Sequence, residues 1–341
     1  MILKQHRLTL LATVGFASLA IAGCNGGSSA PVAGNATTST GNSATGDLTS
    51  VKIGYNPTIV QPQPLLGVLD GDYAKLVPGV AFTGQDYAAG PAVLEALRAG
   101  TVDIACSGVY PALKAFAKEK DVVLIAGAAT GGTQLMVANN SPYKTLADLK
   151  GKVIGVNQVG STVDAMLRYD LLQAGLNPET DVRIVQAEPA LQADDLKNGG
   201  FAAVVAPAPW PSVVATKANA HPLLDWKQFF NGGDYLAGSI YTTKKFADAH
   251  PDFIKKFVAA NVQITSDLNA DRSKGDARVY AAWSKISKKT LPDAVVKDAF
   301  ATIVYTTTTD PKSLQDFADV AFKVGVLRQK ADLSGFVYTA P

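Results

Sequence analysis

Asn56, Gln61 and Gln63 sit among prolines, Ser107, Gly108 and Tyr110 follow a short apolar run, and Gly160, Ser161 and Thr162 precede an apolar-periodic segment. With Tyr87, Gly90 and Trp210 they make a set of amides, hydroxyls, rings and glycine backbone. Such groups hold a small molecule by hydrogen bonding and stacking; they do not transform it. Five loops carry or adjoin them, residues 56–63, 88–91, 107–111, 160–163 and 207–212, and these loops contain no Lys and no Arg. Each precedes a helix signal, so an anion there would rest on unbonded N–H groups and the partial positive charge of helix starts. Ser161 and Thr162 are also ordinary helix-capping types, and the two roles are compatible. Gly131, Gly132 and Thr133 offer further amides, whereas Asp103 reads as structural, because a carboxylate would repel an anion.

Catalysis is not expected. The three His are His6, His221 and His250, none beside a Ser or Cys in a nucleophile arrangement. No His/Cys/Asp/Glu grouping has zinc-like spacing, so neither a metal nor a cofactor is expected. Cys106 lies in the apolar run 103–106 and reads as a small buried hydrophobe.

Elements that position these loops follow from periodicity. Strand signals at 51–55, 80–83, 102–105 and 122–126 alternate with helix signals at 62–69, from 90 onward and at 111–118. The rhythm restarts with strands at 153–156, 182–185 and 202–205 and helices at 162–174 and 191–198. This βαβ alternation predicts an α/β fold of two lobes, each a mainly parallel sheet flanked by helices. Residues 135–138 and 239–242 read as extended crossings. They divide the body into lobe 1 (51–138 plus 239–341) and lobe 2 (139–238), joined by a two-strand hinge beside a cleft. After Lys244 the period is almost wholly helical, with Phe253, Ile254, Phe257 and Val258 on one stripe and Leu314, Phe317 and Ala321 on another. In open α/β sheets ligands sit beyond the carboxyl ends of the strands, where these loops fall.

The chain of 341 residues has 31 Lys+Arg against 29 Asp+Glu. Lys4 and Arg7 belong to a leader in which a basic start precedes an uncharged, mostly apolar stretch at 8–22, so residues 1–23 read as a signal peptide. The run Leu19-Ala20-Ile21-Ala22-Gly23-Cys24 resembles the bacterial lipobox, with Cys24 as the lipidated residue. Removing the leader takes two cations from 31 and leaves 29, equal to the acids. No clustered cationic excess then favours nucleic acid. Residues 24–50, rich in Gly, Ser, Thr, Asn and Ala, read as a lipidated Cys and flexible tether. The expected location is the periplasm or cell exterior, with the chain anchored to a bacterial membrane through Cys24.

Larger motifs carry a resemblance. Thr145-Leu146-Ala147-Asp148-Leu149-Lys150-Gly151-Lys152-Val153-Ile154-Gly155-Val156, then Gly160-Ser161-Thr162, then Leu172-Gln173-Ala174-Gly175-Leu176 resemble the second-lobe signature of periplasmic solute-binding proteins, specifically the nitrate, taurine and aliphatic sulfonate group of ABC importers. In the first lobe, Leu97-Arg98-Ala99-Gly100-Thr101-Val102-Asp103 is similar to that family's L-x-x-G-x-x-D stretch, and Trp210-Pro211 sits where a Trp-Pro loop enters its cleft. The resemblance spans about residues 51–267. It implies a type II-like binding protein, a monomer serving a permease and an ATPase, that captures a small organic oxyanion of the aliphatic sulfonate, taurine or sulfate-ester type by hinge closure. A neutral heteroaromatic such as a thiamine-precursor pyrimidine, stacked on Tyr110 and Trp210, is the alternative ligand. A sensory or interaction lipoprotein is the alternative class. A pyrimidine-precursor synthase of thiamine biosynthesis shares the topology, but its cysteine-rich motif is missing here.

Overall fold

The computed structural model describes residues 48–341. The leader, Cys24 and the tether up to residue 47 lie outside the described residues. The tether's expected end at Ser50 is corrected, because Ser50 opens the first strand. In chain order the elements are β1 (Ser50–Tyr55), α1 (Pro62–Leu69), α2 (Asp72–Leu76), β2 (Ala81–Asp86), α3 (Gly90–Arg98), β3 (Ile104–Ser107), α4 (Val109–Glu119), β4 (Val122–Gly131), β5 (Thr133–Ala138), β6 (Val153–Val156), α5 (Thr162–Gln173) and β7 (Arg183–Gln186). Then come α6 (Gln192–Lys197), β8 (Ala203–Pro207), α7 (Trp210–Lys217), β9 (Ala220–Leu224), β10 (Leu236–Thr243), α8 (Lys244–Ala249), α9 (Pro251–Ala270), α10 (Arg272–Ser287), α11 (Asp293–Phe300), β11 (Ile303–Tyr305) and α12 (Pro311–Lys323).

Two sheets organise them. The first has the order β11-β4-β10-β3-β1-β2 and the second β7-β6-β8-β5-β9. β1 runs parallel to β2 and β3, and β6 runs parallel to β7 and β8. β10 is antiparallel to β3 and β4, and β5 is antiparallel to β8 and β9, so each sheet is mixed. Burial follows position in the sheet. β3 and β8 lie between two neighbours under covering helices, and every residue in them is buried, the pattern of a continuously apolar strand. β2, at an edge, keeps most of its side chains exposed.

Strand pairing moves both lobe boundaries. β5 lies in the second sheet, so the chain leaves the first sheet at Gly131–Gly132 rather than after Ala138. It returns just before Leu236 rather than at Ser239. Both glycines have φ near +75°, the left-handed region that glycine occupies without strain. A further correction concerns the stretch after Lys244, where the helices are interrupted by β11, which pairs antiparallel with β4 through Ile303, Val304 and Tyr305, and residues 324–341 form no helix.

Helices cover the sheets through regular apolar stripes. α9 buries Phe253, Ile254, Phe257, Ala260, Ile264 and Leu268, recurring at intervals of three or four residues. Val258, expected on that stripe, is only half-buried. Tyr73 and Phe82 join Phe253 and Phe257 in an aromatic cluster, with ring centroids 4.7–6.3 Å apart. Cys106 is fully buried, and burial pushes its thiol pKa far up, which makes it inert as a nucleophile.

Candidate functional site

Strands β1, β3, β6 and β8 each end in a loop that starts a helix, and those four helix starts, together with that of α3, converge on one cavity of about 280 Å³ between the sheets. The first sheet's side supplies Asn56, Thr58, Gln61, Gly90 and Gly108. The second supplies Asn157, Ser161, Thr162, Met166 and Trp210, and Tyr235 and Ala237 contribute from the returning crossing. Among the described lining residues there is no Lys, Arg or His. Gln61, Gly90, Gly108, Ser161, Thr162 and Trp210 all sit at or next to helix starts, where the first N–H groups have no intrahelical partner.

Local chemistry fixes each loop. Asn56 and Gln61 clasp each other: Asn56 N donates to Gln61 Oε1 at 3.1 Å, and Gln61 Nε2 donates to Asn56 Oδ1 at 3.2 Å. Asn56 Nδ2 then donates to the Tyr87 carbonyl at 3.1 Å, binding the loop after β1 to the one before α3. Ser161 caps α5 by accepting from Asp164 N at 3.3 Å and donates to Asn157 Oδ1 at 3.1 Å. Buried Asp164 receives Gly160 N at 2.7 Å and pairs with Arg168 Nε at 2.8 Å. Trp210 meets Trp283 edge-on, with centroids 5.9 Å apart, and Trp283 Nε1 donates to the Pro57 carbonyl at 2.9 Å.

Among the described residues, three hydrogen bonds join the two sides of the cavity. Tyr110 N donates to Thr162 Oγ1 at 2.9 Å, Ile59 N to the Ala208 carbonyl at 3.4 Å, and Ser212 Oγ to Asp298 Oδ2 at 2.6 Å. Gly108 makes the first possible. A Cβ placed on it would lie 2.4 Å from Thr162 Oγ1 and 2.7 Å from Thr162 Cβ.

Of the twelve residues expected to touch a ligand, seven line the cavity: Asn56, Gln61, Gly90, Gly108, Ser161, Thr162 and Trp210. Five do not. Gln63 is buried away from it, its Nε2 donating to the Ala128 carbonyl and Thr265 Oγ1. Ser107 bonds Tyr241 OH at 2.7 Å beneath the loop and supports Gly90 from below. Tyr110 sends its ring into the core against Phe317, its hydroxyl donating to the Val326 carbonyl, so it offers no stacking face. Tyr87 packs over Gly54. Gly160 shapes the turn with φ +81° and stays off the lining. Sequence reasoning missed Thr58, Asn157, Met166, Tyr235 and the loop after β7 with Gln186, Glu188, Pro189 and Ala190. That last loop was findable, since it too follows a parallel strand at its carboxyl end. Thr133, named among the amide donors, lines the cavity with its side chain.

Two hydroxyls in the cavity wall stand out. Thr58 Oγ1 and Thr133 Oγ1 are buried with no hydrogen-bond partner among the described residues; Thr133 faces the Tyr235 hydroxyl without reaching bonding geometry. A desolvated hydroxyl left unbonded carries a penalty that a ligand atom can remove.

Two mixed sheets with helices on their faces, linked by two crossings beside a cavity, make this a periplasmic-binding-protein fold. The chain belongs to the NMT1-like family, whose family model matches residues 44–284. It is 31% identical over 176 residues to an Escherichia coli (strain K12) protein provisionally named an aliphatic sulfonates-binding protein, covering 51% of this chain and 54% of that one. The chain thus spans about half the length of the curated relative it matches. Among solved structures, it is similar to the alkanesulfonate-binding protein SsuA from Xanthomonas axonopodis pv. citri bound to MOPS, with a TM-score of 0.73 at 24% identity over 85% of this chain and 98% of that one. The periplasmic nitrate-binding protein NrtA from Synechocystis PCC 6803 gives a TM-score of 0.64 at 16% identity, covering 82% and 86%. At these identities the solved structures show a shared fold.

Proposed function

We propose that this protein is the solute-binding component of an ABC importer and captures a small organic oxyanion, an aliphatic sulfonate first, without catalysing any reaction. The observation that carries this reading is the convergence of five helix starts on a cavity with no cationic side chain among its described lining residues. A sulfonate spreads its charge over three oxygens, which suits several N–H and O–H donors better than one point cation. The names of the relatives favour the same ligand class. Contacts would come from Asn56, Gln61, Gly90, Gly108, Ser161, Thr162 and Trp210, with Thr58 and Thr133 added from the geometry. Ligand touching both sides favours their apposition by its differential affinity for that state. A permease and an ATPase are the partners of this role. A monomer, tethered in the periplasm or at the cell exterior by a lipid on Cys24, completes the proposal.

A thermal-shift screen of 1-propanesulfonate, nitrate and pyrimidines tests it, because a ligand that binds only the folded chain raises the melting temperature by mass action. Stabilisation by the sulfonate is expected, together with a loss of about 1–3 kcal/mol of binding on Trp210→Ala. Stabilisation by pyrimidines alone would replace this reading with the heteroaromatic one.

A further inference from the structure

Trp210 draws its surroundings from both halves of the molecule. It starts α7, which packs on β5, β8 and β9 of the second sheet, and it is buried in the cavity wall. Two residues close on its ring from the other side, where α10 packs on α1 and α9. Trp283 of α10 meets it edge-on at 5.9 Å, and Lys289 Nζ stands 6.0 Å from a Trp210 ring centroid. Both are held in place. Trp283 is fully buried, stacks on Tyr280 at 6.0 Å, and donates through Nε1 to the carbonyl of Pro57, itself a lining residue. The loop after α10 turns at Lys288, whose φ is +55°. Three bonds pin it: Ser284 Oγ to the Lys289 carbonyl at 2.6 Å, Lys289 N to Ser287 Oγ at 3.3 Å, and Leu291 N to Tyr280 OH at 2.7 Å. Lys289 is exposed, and its amine has no ion pair or hydrogen bond among the described residues, so the Trp210 ring is the group it engages.

Edge-on aromatic and cation–π contacts are attractive and orient a ring. A ring oriented before the solute arrives does not lose its rotamer freedom on binding, so more of the contact energy appears as affinity. Resting on the reading of the cavity as a solute site, we propose that Trp283 and Lys289 are positioning residues: they form a socket on the first-sheet side that holds the Trp210 ring against the solute and couples affinity to the apposition of the two sides. Neither belongs to the cavity lining; both act through Trp210, and Trp283 also through Pro57.

The test is a double-mutant cycle read by isothermal titration with 1-propanesulfonate, using the wild type, Lys289→Met, Trp210→Ala and the two combined. The expected result is binding weakened about two- to fivefold by Lys289→Met, the worth of an exposed cation–π contact, and retained by Lys289→Arg, whose guanidinium also sits on a ring. Once Trp210→Ala is present, Lys289→Met should change nothing further. Trp283→Phe, which keeps a ring and removes the donor to Pro57, should weaken binding about tenfold, through faster dissociation. An equal loss from Lys289→Met with and without Trp210 means that the amine attracts the solute by its charge alone and overturns the socket, as does no loss in the wild type. If the wild type binds no 1-propanesulfonate, the sulfonate reading falls by itself and the socket is decided without ligand. X-ray scattering should then give a larger radius of gyration for Trp283→Phe and Lys289→Met than for the wild type, and unchanged radii overturn the socket. Because Lys289 is exposed, Lys289→Met should melt as the wild type does, which keeps the test decisive even where Trp283→Phe does not fold.

Discussion

At the scale of single residues, polar atoms left over by the fold mark the site better than residue type does. Asn56 and Gln61 look like ligand groups in the sequence, yet they satisfy each other. Thr58 as a residue is only 7% exposed, and its buried hydroxyl has no partner among the described residues. Thr58→Val keeps the shape and removes that unsatisfied oxygen. Unliganded stability should stay level or rise slightly, while affinity for the best ligand should fall about five- to tenfold, since one hydrogen bond is worth about 1 kcal/mol. Titration calorimetry beside thermal melts separates the two effects, and unchanged affinity would remove Thr58 from the site. A second residue bears on pH. Burial raises Asp170 from 3.8 to about 7, although Phe230 N, donating to it at 3.1 Å, pulls the other way. Between about pH 4 and 7 the folded chain holds a proton that the unfolded chain has lost, so this group's contribution to stability falls as pH rises and levels off above 7. Asp170→Asn keeps an acceptor for Phe230 N and cannot ionise. Denaturant melts should show little difference near pH 4 and a more stable variant at pH 8, by up to a few kcal/mol at about 1.4 kcal/mol per pH unit. A gap that stays constant with pH would contradict the raised value.

Helix starts were legible in the sequence because capping and proline chemistry is local: Gly90-Pro91 opens α3, and Ser161-Thr162 opens α5. Five of the loops that reach the cavity followed from one topological rule, which was not carried through to the loop after β7. Which way a side chain turns at such a start did not follow. Tyr110 sits in the first turn of α4, and whether its ring meets a ligand or Phe317 depends on α12, about two hundred residues later in the chain. Sheet membership of β5 was hidden for the same reason, since Thr133 to Met136 pair with β8 residues 204–207, far along the sequence. β9 and β11 are short antiparallel edge strands with too few residues to show a period. The α4 start yields its own prediction. Gly108 has φ −62° and ψ 154°, values any residue adopts, so its constraint is the approach of Thr162 and not its backbone. Gly108→Ala should therefore fold but hold its lobes apart, with affinity reduced at least tenfold and a larger radius of gyration in X-ray scattering. Adding Thr162→Ala should restore part of both. A compact, fully binding Gly108→Ala would show that the approach of these two helix starts is dispensable.

Over the whole molecule, the C-terminal helices do more than cover the first sheet. α11 reaches α7 through Asp298 and Ser212, and α12 places Phe317 against Phe230, with ring centroids 4.9 Å apart. The second sheet is thus gripped at the cavity, through Tyr110 and Thr162, and at the flank. In the proposed role, opening the lobes to release a solute breaks these same bonds. If, as in the proposed role, the Tyr110 N–Thr162 Oγ1 bond must part before solute enters, the observed association rate should level off as solute is raised instead of climbing at the diffusive limit, which stopped-flow binding checks. A partner that unloaded the cavity in the proposed role by drawing the lobes apart would do mechanical work on these contacts, prising Ser212 from Asp298.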